Sequence, residues 1–319
     1  MADRRIVILT DGRTTPTGAK TASCVVRYKP NEVVALLDTT QPGKTAGELL
    51  GVGGSIPVVA SLADAPSANT LLIGIAPSGG KLPAAWRKIL LEAIDRGMNL
   101  VSGLHDFLSN DAEISAAAAK KGVEIQDVRK NNEKDVSNRL NLREDCMRIH
   151  TVGQDCSVGK MLASVELTIG LKKRGYDAKF IATGQTGIMI EGQGSLSHPR
   201  YSAVTLGLLH GCVPQAMILV YEAGRKNVHG MDYIPLVPLK KIVEVNETMA
   251  SLAMPSKVIG VAMNSRLLSP DEAEVERDRV RRELGVPVCD VIRHGPDDLI
   301  NAILAYREKL FPHLAAKAG

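Results

Sequence analysis

The sequence is short of aromatic residues, of cysteine and of long apolar runs, and each shortage excludes a class of protein. Aromatic residues make up only 3% of the 319 residues, so the core must be built from Val, Ile, Leu, Ala and Met. No apolar stretch approaches the roughly 20 residues that a membrane-spanning helix needs. The five-residue apolar stretch before Asp11 is too short for the core of a secretory signal. We therefore expect a protein that neither crosses nor binds a membrane.

The five cysteines are widely scattered, and no two of them stand at the spacing of metal ligands. A reducing compartment, the cytoplasm, is the simplest explanation. The formal net charge of +4 is spread along the chain, without a basic stripe interleaved with aromatic residues. This distribution argues against a nucleic-acid partner and is compatible with a small anionic ligand.

Short apolar runs alternate with helical patterns along the chain. Continuous apolar runs are typical of buried parallel strands, so the pattern predicts α/β sheets. The expected strands are 5–10, 32–38, 70–76, 99–104, 123–128, 148–153, 178–184, 187–192, 216–222, 257–264 and 286–292. The expected helices include 83–97, 159–174, 200–212, 238–253, 270–284 and 297–309.

A polar, highly charged segment at 131–146 interrupts this rhythm, and the rhythm then restarts. Two consecutive series of strands and helices predict two parallel-sheet domains. We expect a Rossmann-like domain at 1–130, a connection at 131–146, and a P-loop domain at 147–319.

A glycine-rich turn follows one expected strand and opens the next helix, which is the context of a phosphate-binding loop. Backbone N–H groups and the helix dipole favour an anion there, and Lys160 adds a full charge. Five residues separate Gly153 from Gly159 where four are usual, and this longer form resembles the loop of dethiobiotin synthetase. The predicted cofactor-binding residues of this turn are Gly153, Asp155, Cys156, Ser157, Val158, Gly159, Lys160 and Met161.

The residue after the lysine indicates which phosphate is bound. Mg-nucleotide chemistry places a Ser or Thr hydroxyl on the metal at that position. Here the residue is Met161, whose thioether is a poor substitute because Mg²⁺ demands oxygen ligands. A ligand that is held by its diphosphate and reacts elsewhere, such as coenzyme A, needs the cradle without a metal. We therefore predict a coenzyme A-type ligand and no metal requirement.

A second group of polar residues is expected at the same sheet edge, because ligands of open α/β sheets bind at the carboxyl ends of strands. These candidates are Gln185, Thr186, Glu191, Ser195, His198, Glu222, Arg225 and Asn264. Asn264 could either form hydrogen bonds with the edge of an adenine base or simply end a strand. Cys156 suits either a covalent relay or packing within the turn.

Several longer segments resemble one family. "GQDCSVGKM", "FIATGQTGIMIEGQGSLSHP", "YSAVTLGLLHG" and "GIAPSGGKLPAAWR" are similar to the DgcN-type D-glutamate N-acetyltransferases, a P-loop domain family formerly of unknown function. The resemblance covers nearly the whole chain. It implies transfer of an acetyl group from the cosubstrate acetyl-CoA to the α-amine of D-glutamate, within D-glutamate catabolism. We also expect a homo-oligomer.

Such a transfer needs a general base for the amine and cations for two carboxylates. We rank Glu191 first as the base, then His198 and Glu222. Ser195 and Gln185 are candidate oxyanion donors, and Thr186 is expected to line the substrate pocket. Lys20, Arg27 and Arg225 are candidates for binding the substrate carboxylates. Two alternatives stay open: an ATP-dependent ligase of the dethiobiotin synthetase type, and a module that senses coenzyme A or a nucleotide.

Overall fold

The computed structural model describes residues 4–65, 67–75, 80–130, 142–143, 145–181 and 189–312. The chain divides into two compact units, Met1–Asp135 and Val136–Gly319. The predicted connection at 131–146 lies mostly outside the described residues, and so do Gln185 and Thr186.

The first unit is built on six parallel strands in the order β3-β2-β1-β4-β5-β6. This is the strand order of a Rossmann fold, with the reversal between β1 and β4. Its elements are β1 (Ile6–Leu9), α1 (Lys20–Tyr28), β2 (Val33–Leu37), α2 (Ala46–Leu50), β3 (Val58–Val59), β4 (Thr70–Ile73), α3 (Arg87–Asp95), β5 (Asn99–Ser102), α4 (Ala112–Lys121) and β6 (Ile125–Asp127). The central strands β1 and β4 are buried at every position, as the continuous apolar runs predict.

Asp38 follows β2, where dinucleotide-binding Rossmann domains place an acidic residue for the ribose. Here it is fully buried and accepts hydrogen bonds from the Gly12 N–H at 3.0 Å and from the hydroxyls of Thr14 and Thr40. Burial raises the pKa of Asp38, but these hydrogen bonds outweigh it and hold the pKa below its usual value. Asp38 therefore braces the turn after β1.

The second unit contains another six-stranded parallel sheet, in the order β14-β13-β10-β7-β9-β8. Its elements are β7 (Ile149–Gly153), α5 (Lys160–Lys173), β8 (Phe180–Ile181), β9 (Met189–Ile190), α6 (Ser202–Cys212), β10 (Ala216–Glu222), β11 (Asn227–Val228), β12 (Met231–Pro235), α7 (Leu239–Ser251), β13 (Lys257–Asn264), α8 (Pro270–Leu284), β14 (Val288–Cys289) and α9 (Asp297–Leu310). Strands β11 and β12 form a separate antiparallel hairpin.

Helices cover both faces of this sheet. One core joins the sheet to α5 and α9, and the other joins it to α6, α7 and α8. Helices α5 and α9 pack so closely at Gly170 that a Cβ there would lie 2.3 Å from the Ile300 side chain. Within the described ranges, none of the helices combines the length and apolar character that a bilayer crossing requires.

His150 is a fully buried residue of β7, and within the described residues neither of its ring nitrogens has a hydrogen-bond partner. Burial lowers its pKa to about 4, and the charge of Lys160 adds to this effect. The folded protein therefore keeps His150 neutral at a pH where the unfolded chain, with a pKa of roughly 6.5, binds a proton. The stability contributed by the neutral ring is present above pH 6.5 and is lost as the pH falls toward 4.

We expect the free energy of unfolding to fall by about 2 kcal/mol between pH 7.5 and pH 5 because of His150. Replacing His150 with Leu should remove that part of the fall, as measured by urea unfolding at the two pH values. Val152→Ala, at a buried residue of the same strand without a titratable group, serves as the control and should leave the fall unchanged. An equal fall in wild type and His150→Leu would contradict the assignment.

Candidate functional site

The turn between β7 and α5 has the backbone of an anion-binding loop. Ser157 and Gly159 adopt left-handed conformations, with φ of +57° and +109°, and such turns direct successive N–H groups inward. The N-cap residue of α5 is Gly159, which has no side chain to cap the helix, so the first N–H groups of the helix are directed at the turn. A Cβ at Gly153 would lie 2.9 Å from the Asp155 backbone carbonyl oxygen and 2.7 Å from the Lys160 Nζ, so this position has little room for a side chain.

Lys160 supplies the positive charge of this turn. Its side chain is buried, and its Nζ donates to the Asp155 backbone carbonyl at 2.9 Å. Burial lowers the pKa of Lys160 to about 8, against the opposing effects of Cys156, Asp155 and Glu191. At neutral pH the lysine is therefore mostly protonated and presents an ammonium group to an anion in the turn.

The Asp155 carboxylate holds the turn in shape. It is fully buried, and its Oδ1 accepts the Cys156 N–H at 2.7 Å. Its Oδ2 accepts hydrogen bonds from Arg225 Nη1 at 2.8 Å and from the His229 N–H at 2.7 Å. The last bond ties the β11–β12 hairpin to the turn. Asp155 thus acts on an anion indirectly, by fixing the backbone that binds it.

Glu222 lies at the end of β10 between two guanidinium groups. Its side chain is buried, its Oε2 accepts from Arg225 Nε at 2.6 Å, and its Oε1 pairs with Arg266. Arg225 also donates to the Cys156 carbonyl at 2.7 Å. Both carboxylate oxygens of Glu222 are thus engaged by guanidinium groups within the protein. The contacts give Glu222 and Arg225 a structural part in supporting the turn.

His198 is buried beside Asp155, and its hydrogen bonds define which nitrogen carries the proton. Its Nδ1 accepts the Arg200 N–H at 3.1 Å, so the neutral ring carries its proton on Nε2. That Nε2 lies 3.9 Å from the Asp155 Oδ1. Because its basic lone pair is already used, neutral His198 is arranged as a hydrogen-bond donor, and a role as general base fits it poorly.

The donor atoms of Asp155, Cys156 and His198 lie within 4.8 Å of one another. Carboxylate, thiolate and imidazole together are a possible ligand set for zinc. Two observations, one on Asp155 and one on His198, argue against a metal ion between these residues. The Asp155 oxygens already accept three hydrogen bonds, one of them from a guanidinium, and the His198 nitrogen that faces the cluster carries a proton. These residues fit a hydrogen-bonded support for the turn better than a metal ion.

Glu191 follows β9, which pairs with β7 on the side opposite β10. Its carboxylate accepts from Gln193 Nε2 at 3.0 Å, and its negative charge acts on Lys160. The next residue, Gly192, donates to the Thr151 hydroxyl at 3.0 Å and has no room for a side chain, since a Cβ would lie 1.8 Å from the Thr151 carbonyl. This close approach holds the half-buried Glu191 beside the anion turn.

Asn264 and Ser195 make contacts that sequence reasoning did not specify. Asn264 Nδ2 donates to the Val158 carbonyl at 3.2 Å, and its Oδ1 accepts the Arg266 N–H at 3.3 Å. Ser195 is buried, and its hydroxyl lies 3.0 Å from that of Ser197. Asn264 therefore supports the turn directly, whether or not it also contacts a ligand.

The second unit brings most of the predicted site residues to one sheet edge. These are the turn residues 153–161 together with Glu191, Ser195, His198, Glu222, Arg225 and Asn264. Lys20 and Arg27 belong to α1 of the first unit, where their side chains are exposed. The sequence analysis missed Arg266 and the backbone N–H of His229. Arg266 stands two residues after Asn264, just past the end of an expected strand, and that position could have identified it as a candidate.

Two family descriptions match the chain. A Rossmann-like domain of unknown function, the N-terminal domain of the DUF1611 family, matches residues 39–131, and the P-loop domain of the same family matches 133–190 and 188–300. The predicted fold class of both units is thereby confirmed.

Relatives of moderate identity span most of the chain. A D-glutamate N-acetyltransferase from a Pseudoalteromonas species is 33% identical over 268 residues, covering 73% of this chain and 80% of the relative. A protein of the same name from Tritonibacter scottomollicae is 33% identical over 279 residues, covering 76% and 83%. The crystal structure of a DUF1611 family protein from Anabaena variabilis superposes with a TM-score of 0.85 at 32% identity, covering 95% of this chain and 99% of that one. The chain therefore belongs to the DUF1611 family, whose members join a Rossmann-like domain to a P-loop domain.

Proposed function

We propose that the protein transfers an acetyl group from acetyl-CoA to the α-amine of D-glutamate. The amine nitrogen attacks the thioester carbonyl carbon, a C–N bond forms, the C–S bond breaks, and coenzyme A leaves as its thiol. The observation that carries the proposal is the activity named for two relatives that span about three quarters of this chain. The turn at 153–161 is consistent with it.

The turn suits a diphosphate that is bound but not cleaved. Its N–H groups, the start of α5 and the buried Lys160 favour an anion, and Met161 follows where a magnesium-binding hydroxyl would stand. Coenzyme A reacts at its thioester, far along the molecule from its diphosphate. No phosphate chemistry, and therefore no magnesium ligand beside Lys160, is needed for acetyl transfer.

We assign the general base to Glu191. The α-amine of an amino acid is mostly protonated at neutral pH and must lose a proton before attack. Of the three candidates, Glu222 has its two oxygens paired with Arg225 and Arg266, and the Nδ1 lone pair of His198 accepts the Arg200 N–H. Glu191 is a half-buried carboxylate that follows β9 beside the anion turn, and its charge acts on Lys160. Lys160, which is expected to bind the diphosphate, lies near Glu191. For Glu191 to act as the base, the arm of coenzyme A that carries the thioester must therefore fold back toward β9.

The experiment is a thiol-release assay with purified protein, acetyl-CoA and D-glutamate. We expect free thiol to appear without ATP or Mg²⁺, with L-glutamate and D-aspartate as comparison substrates. Thiol release that requires ATP and Mg²⁺ would favour the dethiobiotin synthetase-like ligase. Binding of coenzyme A without turnover on any of the amino acids would favour a sensing module. Either outcome would overturn the proposed transfer.

A further inference from the structure

Arg266 lies on the turn that follows β13, at the same edge of the second sheet as the anion turn. Its backbone N–H donates to Asn264 Oδ1 at 3.3 Å, and Asn264 Nδ2 in turn donates to the Val158 carbonyl of the anion turn at 3.2 Å. The Arg266 backbone is thus attached to the anion turn through a single side chain.

The guanidinium of Arg266 donates a hydrogen bond through its Nε, which pairs with the buried Glu222 carboxylate. Among the residues that the structure describes, its two terminal nitrogens donate no hydrogen bond. The side chain is 44% exposed. Arginine paired through Nε keeps its two-nitrogen edge available in a fixed direction, which suits a phosphate or carboxylate.

Arg225 makes the opposite use of its guanidinium. It pairs with Glu222 and Asp155 and donates to the Cys156 carbonyl, and its side chain is only 11% exposed. Glu222 therefore fixes two arginines of different function. The Arg225 guanidinium is engaged by groups of the protein, whereas the terminal nitrogens of Arg266 face solvent beside the anion turn.

We propose that Arg266 binds a phosphomonoester carried next to the diphosphate, which on coenzyme A is the 3′-phosphate of the ribose. The inference rests on the proposed function and adds to it a basis for selecting coenzyme A over its 3′-dephospho form. The diphosphate lies against the turn and Lys160, and the ribose phosphate reaches the Asn264 side of that turn. Arg266 meets the ligand there through its terminal nitrogens.

The test compares coenzyme A with 3′-dephospho-coenzyme A by titration calorimetry. We expect wild type to bind coenzyme A about 10-fold more tightly, the lower end for a charge-assisted contact because the guanidinium is partly exposed. Arg266→Gln should lose this preference by weakening coenzyme A binding and leaving dephospho-coenzyme A binding nearly unchanged. Arg266→Lys, which keeps the charge without the fork, should retain part of it.

Arg279→Gln is the matched control. Arg279 is an ion-paired arginine of α8 in the same unit, with a similarly exposed side chain, and its replacement should leave both affinities unchanged. If Arg266→Gln weakens the binding of coenzyme A and of 3′-dephospho-coenzyme A equally, Arg266 only supports Glu222 and the proposal is overturned. A change confined to the KM for D-glutamate would overturn it as well. Because binding is measured without turnover, absence of acetyl transfer would refute the proposed function while the calorimetry still decides the role of Arg266.

Discussion

Replacement of Glu191 by Gln is expected to lower kcat for acetyl transfer by about 10²- to 10⁴-fold, the range that a positioned general base contributes. Gln keeps the size and the hydrogen bond with Gln193 but has no basic oxygen. The loss should appear in kcat at saturating substrates, measured by thiol release. It should also shrink as the pH rises toward the pKa of the substrate amine, because a free amine no longer needs the base.

Glu191 also acts on Lys160 electrostatically, so a second explanation must be separated from the first. If Glu191 only balances that charge, Glu191→Gln will change the KM for acetyl-CoA and leave kcat within a few-fold of wild type. Glu244→Gln, at a carboxylate of α7 that pairs with Lys241, is the control and should alter neither constant. An unchanged kcat in Glu191→Gln would remove Glu191 from the role of base.

Helices were predicted well from the sequence where the signals at their ends are local. The helix expected at 270–284 forms as Pro270–Leu284, since Ser269 and Glu272 make a capping box and Gly285 takes the left-handed conformation that ends the helix. The helix expected at 83–97 is instead a 3₁₀ turn at Ala84–Trp86 followed by α3 at Arg87–Asp95. Apolar periodicity does not distinguish these two forms over so short a segment.

The hydrogen bonds that assign roles within the site could not be predicted from the sequence. The tautomer of His198 depends on the Arg200 N–H two residues further on, and one of the two guanidinium contacts of Glu222 comes from Arg266, 44 residues away. Residue type and position after a strand identify a candidate base, but only the contacts of its lone pairs decide whether it is available. The hairpin β11–β12 was also missed, because β11 spans only two residues and is too short to show an alternating pattern.

Lys160→Ala is expected to raise the KM for acetyl-CoA about 100-fold with little change in the KM for D-glutamate. An ammonium bonded to an anion contributes the energy of a charge-assisted hydrogen bond, and burial of Lys160 places the effect at the upper end of that range. Lys173→Ala, at the exposed far end of α5, is the control. A KM within about threefold of wild type in Lys160→Ala would show that acetyl-CoA binds elsewhere.

The pH dependence of coenzyme A binding provides an independent check on the same residue. Burial lowers the pKa of Lys160 to about 8, so the free protein loses its ammonium as the pH rises through that value. The dissociation constant of coenzyme A, measured by calorimetry, should be steady between about pH 7 and pH 8, where its 3′-phosphate is already a dianion, and should increase above that range. In Lys160→Ala that increase should disappear, because the remaining contacts to the diphosphate are backbone N–H groups that do not titrate. An increase of the same size in both proteins would assign the titration to another group and leave the anion turn without a charged contact to its ligand.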